Sequence, residues 1–127
     1  MLSYTFQKGE RLKSRKVIGA LFKEGKSFGQ YPLRLVYMPV RERRSEFPAQ
    51  FTVSVPKKKF PKAVTRNRIR RQVREAWRLN KHRLYRALEE EEWQIALLVI
   101  YVAREELPYP EIERAMRQMI GRLAKKR

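Results

Sequence analysis

From Trp93 to Ala103 the chain is apolar almost without interruption, broken only by Gln94. A run of this length and composition predicts a strand covered on both faces, because a strand with one wet face would alternate. The sheet it anchors must therefore carry helices. The run is about half of the roughly 20 residues needed to cross a bilayer, so a membrane span is excluded for it.

The rest of the chain supplies those partners. Ser14 predicts a cap for a helix over Arg15 to Glu24, with Val17, Ile18, Leu21 and Phe22 as its apolar stripe and Gly25 as its stop. Leu33 to Met38, between Pro32 and Pro39, reads as a strand, and Arg41 to Glu46 as a charged connection. In Gln50 to Val55, Phe51, Val53 and Val55 alternate with Gln50, Thr52 and Ser54, which predicts a strand with one polar face. A basic loop, Lys57 to Lys62, leads to a long helix over Arg66 to Leu88 closed by Glu89 to Glu92. After Pro108 and Pro110, a last helix over Glu111 to Ala124 has Ile112, Ala115, Met116, Met119, Ile120 and Leu123 at helical spacing. The order helix, strand, strand, helix, strand, helix predicts an α+β fold, a small α/β sandwich with helices packed on a mixed sheet of three to four strands. The 127 residues, 43% of them hydrophobic, suit a single domain over 1–127.

The long helix carries the functional signal. At about 100° per residue, Val73, Ala76, Trp77 and Leu84 fall on the side of Ile69, while Asn67, Arg68, Arg70, Arg71, Arg74 and Arg78 occupy the opposite arc. Cations sorted onto one face, with Glu75 as its only acid and Arg71 its expected partner, predict an anion-binding surface. Thr65 is the expected cap, which would set Arg66 and Arg68 in the first turn beside free N–H groups, where phosphate binds well.

Lys and Arg number 31 against 13 acidic residues, a formal charge of +18, so the partner is a polyanion. Charge alone leaves nucleic acid and anionic membrane open; the polar strand face and the absence of a long Trp-flanked amphipathic helix favour nucleic acid. The chain has no cysteine, which removes disulfides and thiolate metal sites and fits the cytoplasm. Residues Met1 to Lys8 lack the apolar run of a signal peptide.

Residues Arg66-Asn67-Arg68-Ile69-Arg70-Arg71-Gln72-Val73-Arg74-Glu75, preceded by Ala63-Val64, resemble the Arg-Asn-Arg motif of the bacterial ribonuclease P protein family. Arg11-Leu12-Lys13-Ser14 with Ile18, Leu21, Phe22 and Gly25 is similar to that family's first helix, and Tyr31 to Tyr37 to its first strand. The resemblance runs from about Phe6 to Leu123 and departs from the family in the loop Lys57 to Lys62, where Pro61 stands near the usual Gly. It implies a protein subunit of the ribonuclease P holoenzyme, which removes the 5′ leader from precursor tRNA with a catalytic RNA. It implies a left-handed crossover in the fold, an exception to the usual hand. It further implies contact with the catalytic RNA through Arg66, Asn67, Arg68, Arg70, Arg71 and Arg74, and with the leader through Lys13, Arg15, Ile18 and Phe22. Ribonuclease P RNA and precursor tRNA are the implied partners, with no membrane and no obligate protein partner. The resemblance also implies Mg2+ for the holoenzyme, held mainly by RNA.

The residues themselves offer little for an autonomous catalyst. Every acidic residue is glutamate and His82 is the only histidine, so no metal ligands and no catalytic residues are assigned to the chain. Phe22 fits a core position as well as a stacking one, and Trp77 fits the core. A non-enzymatic ribosomal or rRNA-binding protein is the alternative that charge and size equally suit.

Overall fold

A computed structural model describes residues 5–91 and 93–126. Of the sequence expectations, those on residues 1–4, on Glu92 in the acidic run and on Arg127 in the basic tail lie outside the described residues. After a 3-10 turn at Lys8–Glu10 come α1 (Arg15–Glu24), β1 (Lys26–Gln30), β2 (Leu33–Val40), β3 (Ala49–Ser54), α2 (Ala63–Ala87), β4 (Gln94–Tyr101) and α3 (Tyr109–Lys126). The strands lie in the order β1-β2-β4-β3. β3 runs parallel to β4, and the other pairs are antiparallel, so the sheet is mixed as expected.

β4 is interior and covered on both sides, as its composition requires. Leu97, Val99 and Tyr101 face α2 and α3, joining Phe51, Trp77, Met116 and Ile120 in the larger core. Ala96 and Leu98 point the other way and meet Leu12, Val17 and Leu21 beneath α1. The α3 residues Ile112, Ala115, Met116, Met119, Ile120 and Leu123 are all buried. So are Ile69, Val73, Ala76, Trp77 and Leu84 of α2, with Trp77 stacked on Phe51 at 4.6 Å. Trp77 is therefore core.

The bounds of β3, β4 and α3 shift by one or two residues from expectation, and three further differences stand out. β1 was not expected, since Lys-Ser-Phe-Gly-Gln has a single large apolar residue; it pairs only with β2, through Phe28↔Leu35 and its neighbours. β2 continues through Pro39 to Val40, past Tyr37, the last residue that β1 pairs. A proline is tolerated there because the strand is open on that side. α2 begins at Ala63, capped by Lys62 without a side-chain bond, so Thr65 lies inside the helix. Arg66 N–H then donates to Lys62 O in the regular ladder, and the arginines follow the free N–H groups instead of standing among them.

α1 has the expected bounds, with Ser14 Oγ accepting from Val17 N–H at 3.2 Å. Gly25 stops it in an extended conformation and not in the left-handed region. Space explains the glycine: an added Cβ would stand 2.5 Å from Leu21 O and 2.8 Å from Val36 Cγ1.

Candidate nucleic-acid interface

The polar arc of α2 faces away from the sheet, and its side chains are not equivalent. Arg66 turns back, Nη1 donating to Phe60 O at 2.9 Å and Pro61 O at 2.8 Å, so it ties the basic loop to the helix. Phe60 pins that loop from inside, buried with its ring edge against Tyr101. Arg68 forms a bidentate pair with Glu106, from the segment between β4 and α3. Arg70 donates to Asn67 Oδ1 at 2.8 Å, which orients its guanidinium. Glu75 pairs with Arg78 at 2.8 Å, and not with Arg71 as the spacing suggested. Arg71 and Arg74 are exposed, and among the described residues neither forms an ion pair.

Charges here repel one another. Partial desolvation against the neighbouring chain, followed by the cations Arg70, Arg11 and Arg71, pushes the Arg74 guanidinium below its usual pKa. An arginine stays protonated even so, and the repulsion is relieved when an anion settles among these groups.

On the opposite side of the sheet, α1 presents the second set of expected residues. Val17 and Leu21 face inward; Ile18 is half-buried at the edge of that core. Phe22 is 66% exposed, which removes it from the core and leaves a large aromatic surface two turns along the helix that Arg15 opens; Arg15 and the preceding Lys13 are also exposed.

The segment before α1 adds residues that sequence reasoning did not place at a site. Leu12 N–H donates to Phe51 O at 3.0 Å and Arg11 bridges to Phe51, so this segment runs along the outer edge of β3. A groove of about 290 Å³ opens between it, β3 and α2, lined among others by Phe6, Arg11, Lys13, Thr52, Val53 and Arg74. It brings together Lys13 from the expected leader set and Arg74 from the expected catalytic-RNA set. Glu10 anchors the segment from within: 1% exposed, it accepts from Lys81 Nζ, from Tyr85 OH at 2.6 Å and from Gln7 N–H at 2.7 Å. Burial, then the bond to Glu10, pushes the Tyr85 phenol well above its usual pKa.

Among the described residues no three of His, Cys, Asp or Glu gather as a metal site. His82 lies half-buried with its ring edge-on to Tyr85, and Glu89, Glu90 and Glu91 are exposed beyond the end of α2. No helix of the described residues is long and apolar enough to cross a membrane. Fold and surface together define a small, strongly basic α+β protein with an arginine face on α2 and an exposed phenylalanine on α1.

Comparison with known proteins gives that class its family. The Ribonuclease P family model matches residues 6–124. The ribonuclease P protein component of Porphyromonas gingivalis is 44% identical over 123 residues, spanning 96% of this chain and 88% of the relative. That of Chlorobium phaeobacteroides is 37% identical over 128 residues, spanning 94% and 85%. The solved RNase P protein from Thermotoga maritima shares the fold, with a TM-score of 0.69 at 23% identity over 89% of this chain and 96% of that one. The chain belongs to the ribonuclease P protein family. It serves as a protein subunit of that ribonucleoprotein enzyme, whose name implies processing of the tRNA 5′ leader.

Proposed function

We propose that α2 docks the catalytic RNA of ribonuclease P while α1 and the adjoining sheet hold the single-stranded 5′ leader of precursor tRNA. The observation that carries this reading is the outer face of α2, where Arg71 and Arg74 are exposed, neither forms an ion pair among the described residues, and Asn67 orients Arg70 beside them, so that an RNA backbone can neutralise the face. Arg70, held by Asn67, with Arg71 and Arg74 makes the phosphate contacts; Arg66 fixes the loop and Arg68 joins when Glu106 lets go. Lys13, Arg15, Ile18 and Phe22 form the leader surface, where the exposed ring of Phe22 stacks on an unpaired base for about 1–3 kcal/mol.

In this reading the whole chain acts as one domain, in the cytoplasm, on precursor tRNA. Mg2+ supplies the hydrolytic chemistry of the holoenzyme. In this reading the metal is held mainly by RNA, and the chain's residues screen and position phosphates.

Reconstitution tests the proposal. Protein added to a bacterial ribonuclease P RNA and a precursor tRNA at low Mg2+ should raise cleavage, and affinity should weaken as leader nucleotides are removed. Cleavage no faster than with RNA alone would overturn it, and leader-independent affinity would remove the α1 assignment.

A further inference from the structure

The later part of α3 carries a set of cations that the two-surface reading leaves unused. From Arg114 to Lys125 the helix holds Arg114, Arg117, Arg122 and Lys125 and no carboxylate. All four are exposed, on the side away from the core. The helix macrodipole favours cations only in the last turn, so it accounts for Lys125 and not for Arg114 or Arg117.

α2 completes the row. The exposed Arg83 guanidinium lies across Gly121, where an added Cβ would stand 3.0 Å from Nη1 and 3.4 Å from Cζ. A glycine inside a helix weakens it relative to alanine; here it leaves room for the arginine of the neighbouring helix. Arg117 and Lys125 stand four residues to either side, so the positions of Arg117, Arg83 and Lys125 follow one another at about 6 Å, near the spacing of successive phosphates in an RNA strand. Beside them Arg122 is fixed, Nη1 donating to Gly29 O at 2.9 Å and the guanidinium lying 4.0 Å from the Phe28 ring centre. Neither contact neutralises it. Of these five cations, only Arg117 has an ion-pair partner among the described residues, Glu113.

The ridge is continuous with the arginine face of α2. The two helices share one layer and run in the same direction: Arg68 meets Glu106 just before α3, Asn80 donates to Glu113, and Arg83 reaches Gly121. Among the described residues, none of the exposed large apolar side chains belongs to α3, so the ridge offers no platform for an unpaired base. Charge without exposed aromatics suits the sugar-phosphate backbone of a paired RNA segment.

We propose that the ridge of Arg83, Arg114, Arg117, Arg122 and Lys125 is a second docking site for the ribonuclease P RNA, taking the backbone of a paired segment apart from the contacts of the Arg-Asn-Arg end. The proposal rests on the reading that α2 docks this RNA and extends that interface over the neighbouring helix.

Filter binding of the RNA subunit over a salt series, joined to a backbone-cleavage footprint, tests it. Arg83→Gln combined with Arg114→Gln should lower the slope of log affinity against log salt by about 1.8, two duplex phosphate contacts, and weaken binding at 0.1 M salt by about tenfold or more. One paired RNA segment should lose protection, while the segment that Arg71→Ala uncovers stays protected. Arg83→Lys with Arg114→Lys should keep the original slope. Both residues are exposed, so the thermal midpoint should hold, and the preference of the reconstituted holoenzyme for precursor over mature tRNA should not move. An unchanged slope and footprint, with Arg71→Ala weakened, would overturn the ridge alone. A lost preference for precursor tRNA would overturn the RNA subunit as its occupant. So would unchanged RNA binding beside lost binding to vesicles of an anionic phospholipid. Normal RNA binding by Arg71→Ala would remove the α2 reading, and with it the continuity on which the ridge depends.

Discussion

Arg68 and Glu106 meet fork to fork, Nε donating to Oε2 at 2.7 Å and Nη2 to Oε1 at 2.6 Å. The carboxylate competes for the guanidinium that the Arg-Asn-Arg motif would offer to RNA, and the hydrogen bond to Arg68 holds Glu106 below the usual carboxylate range. Glu106→Gln should therefore tighten binding to ribonuclease P RNA and steepen its salt dependence by about 0.9, one duplex phosphate contact. The pair is exposed, so the thermal midpoint should hardly move. An unaltered salt slope, measured by filter binding, would show that Arg68 reaches RNA without leaving Glu106.

Arg71, which has no ion-pair partner among the described residues, should behave differently. Arg71→Ala is expected to weaken RNA-subunit binding and reduce the salt slope by about 0.9. Stability should be unaffected, as for most exposed substitutions away from special features. Binding titrations beside a melting curve separate the two effects.

Phe22 and Leu21 are sequence neighbours with opposite exposures, 66% and 1%. Phe22→Ala should reduce the preference for precursor over mature tRNA by about 1–3 kcal/mol, one base stack, and leave unfolding unchanged. Leu21→Ala should do the reverse, lowering stability by about 2–5 kcal/mol. A Phe22→Ala protein that melted early would return this ring to the core.

The sequence distinguished these two residues poorly. Val17, Ile18, Leu21 and Phe22 share one apolar stripe, and periodicity locates a stripe without saying where its cover ends. β4 was legible because two covered faces leave an unbroken apolar run, and α3 because its buried positions keep helical spacing. β1 was not, since an edge strand bonded on one side needs little apolar surface. The start of α2 was misplaced because Thr65 resembles a cap, whereas the helix begins at Ala63 without a side-chain cap. Glu10 and Lys81 stand 71 residues apart, a separation across which no local pattern announces a pair.

That pair should be sensitive to single but not to double replacement. Lys81→Met strands a buried Glu10 carboxylate and should lower stability by about 3–5 kcal/mol. Replacing both residues by Met should recover most of the loss. Denaturant unfolding of the unsubstituted protein, Lys81→Met, Glu10→Met and the double replacement decides it; two independent, additive losses would mean that the residues are not coupled.

Tyr85 predicts an alkaline limb. Its phenol is raised by burial and by Glu10, so its contribution is fully present below the ordinary tyrosine value of about 10 and declines as pH rises above it. Above that pH the unfolded chain releases a proton that the folded chain keeps. Between pH 8 and 11, Tyr85→Phe should lose stability with pH less steeply than the unsubstituted protein, with Lys81 and the other tyrosines common to both. Parallel curves would contradict the assignment.

The placement of β4 between β2 and β3 also sets an order of assembly during synthesis. β2 and β3 have no bonds to each other, so the sheet cannot join them until the ribosome has released residues 94–101. α1, β1 and β2 can form early, but α2 emerges before the strand that will cover its apolar face exists. For that interval a strongly cationic, half-assembled chain is exposed to every RNA near the exit tunnel, and its escape depends on one late strand closing the sheet.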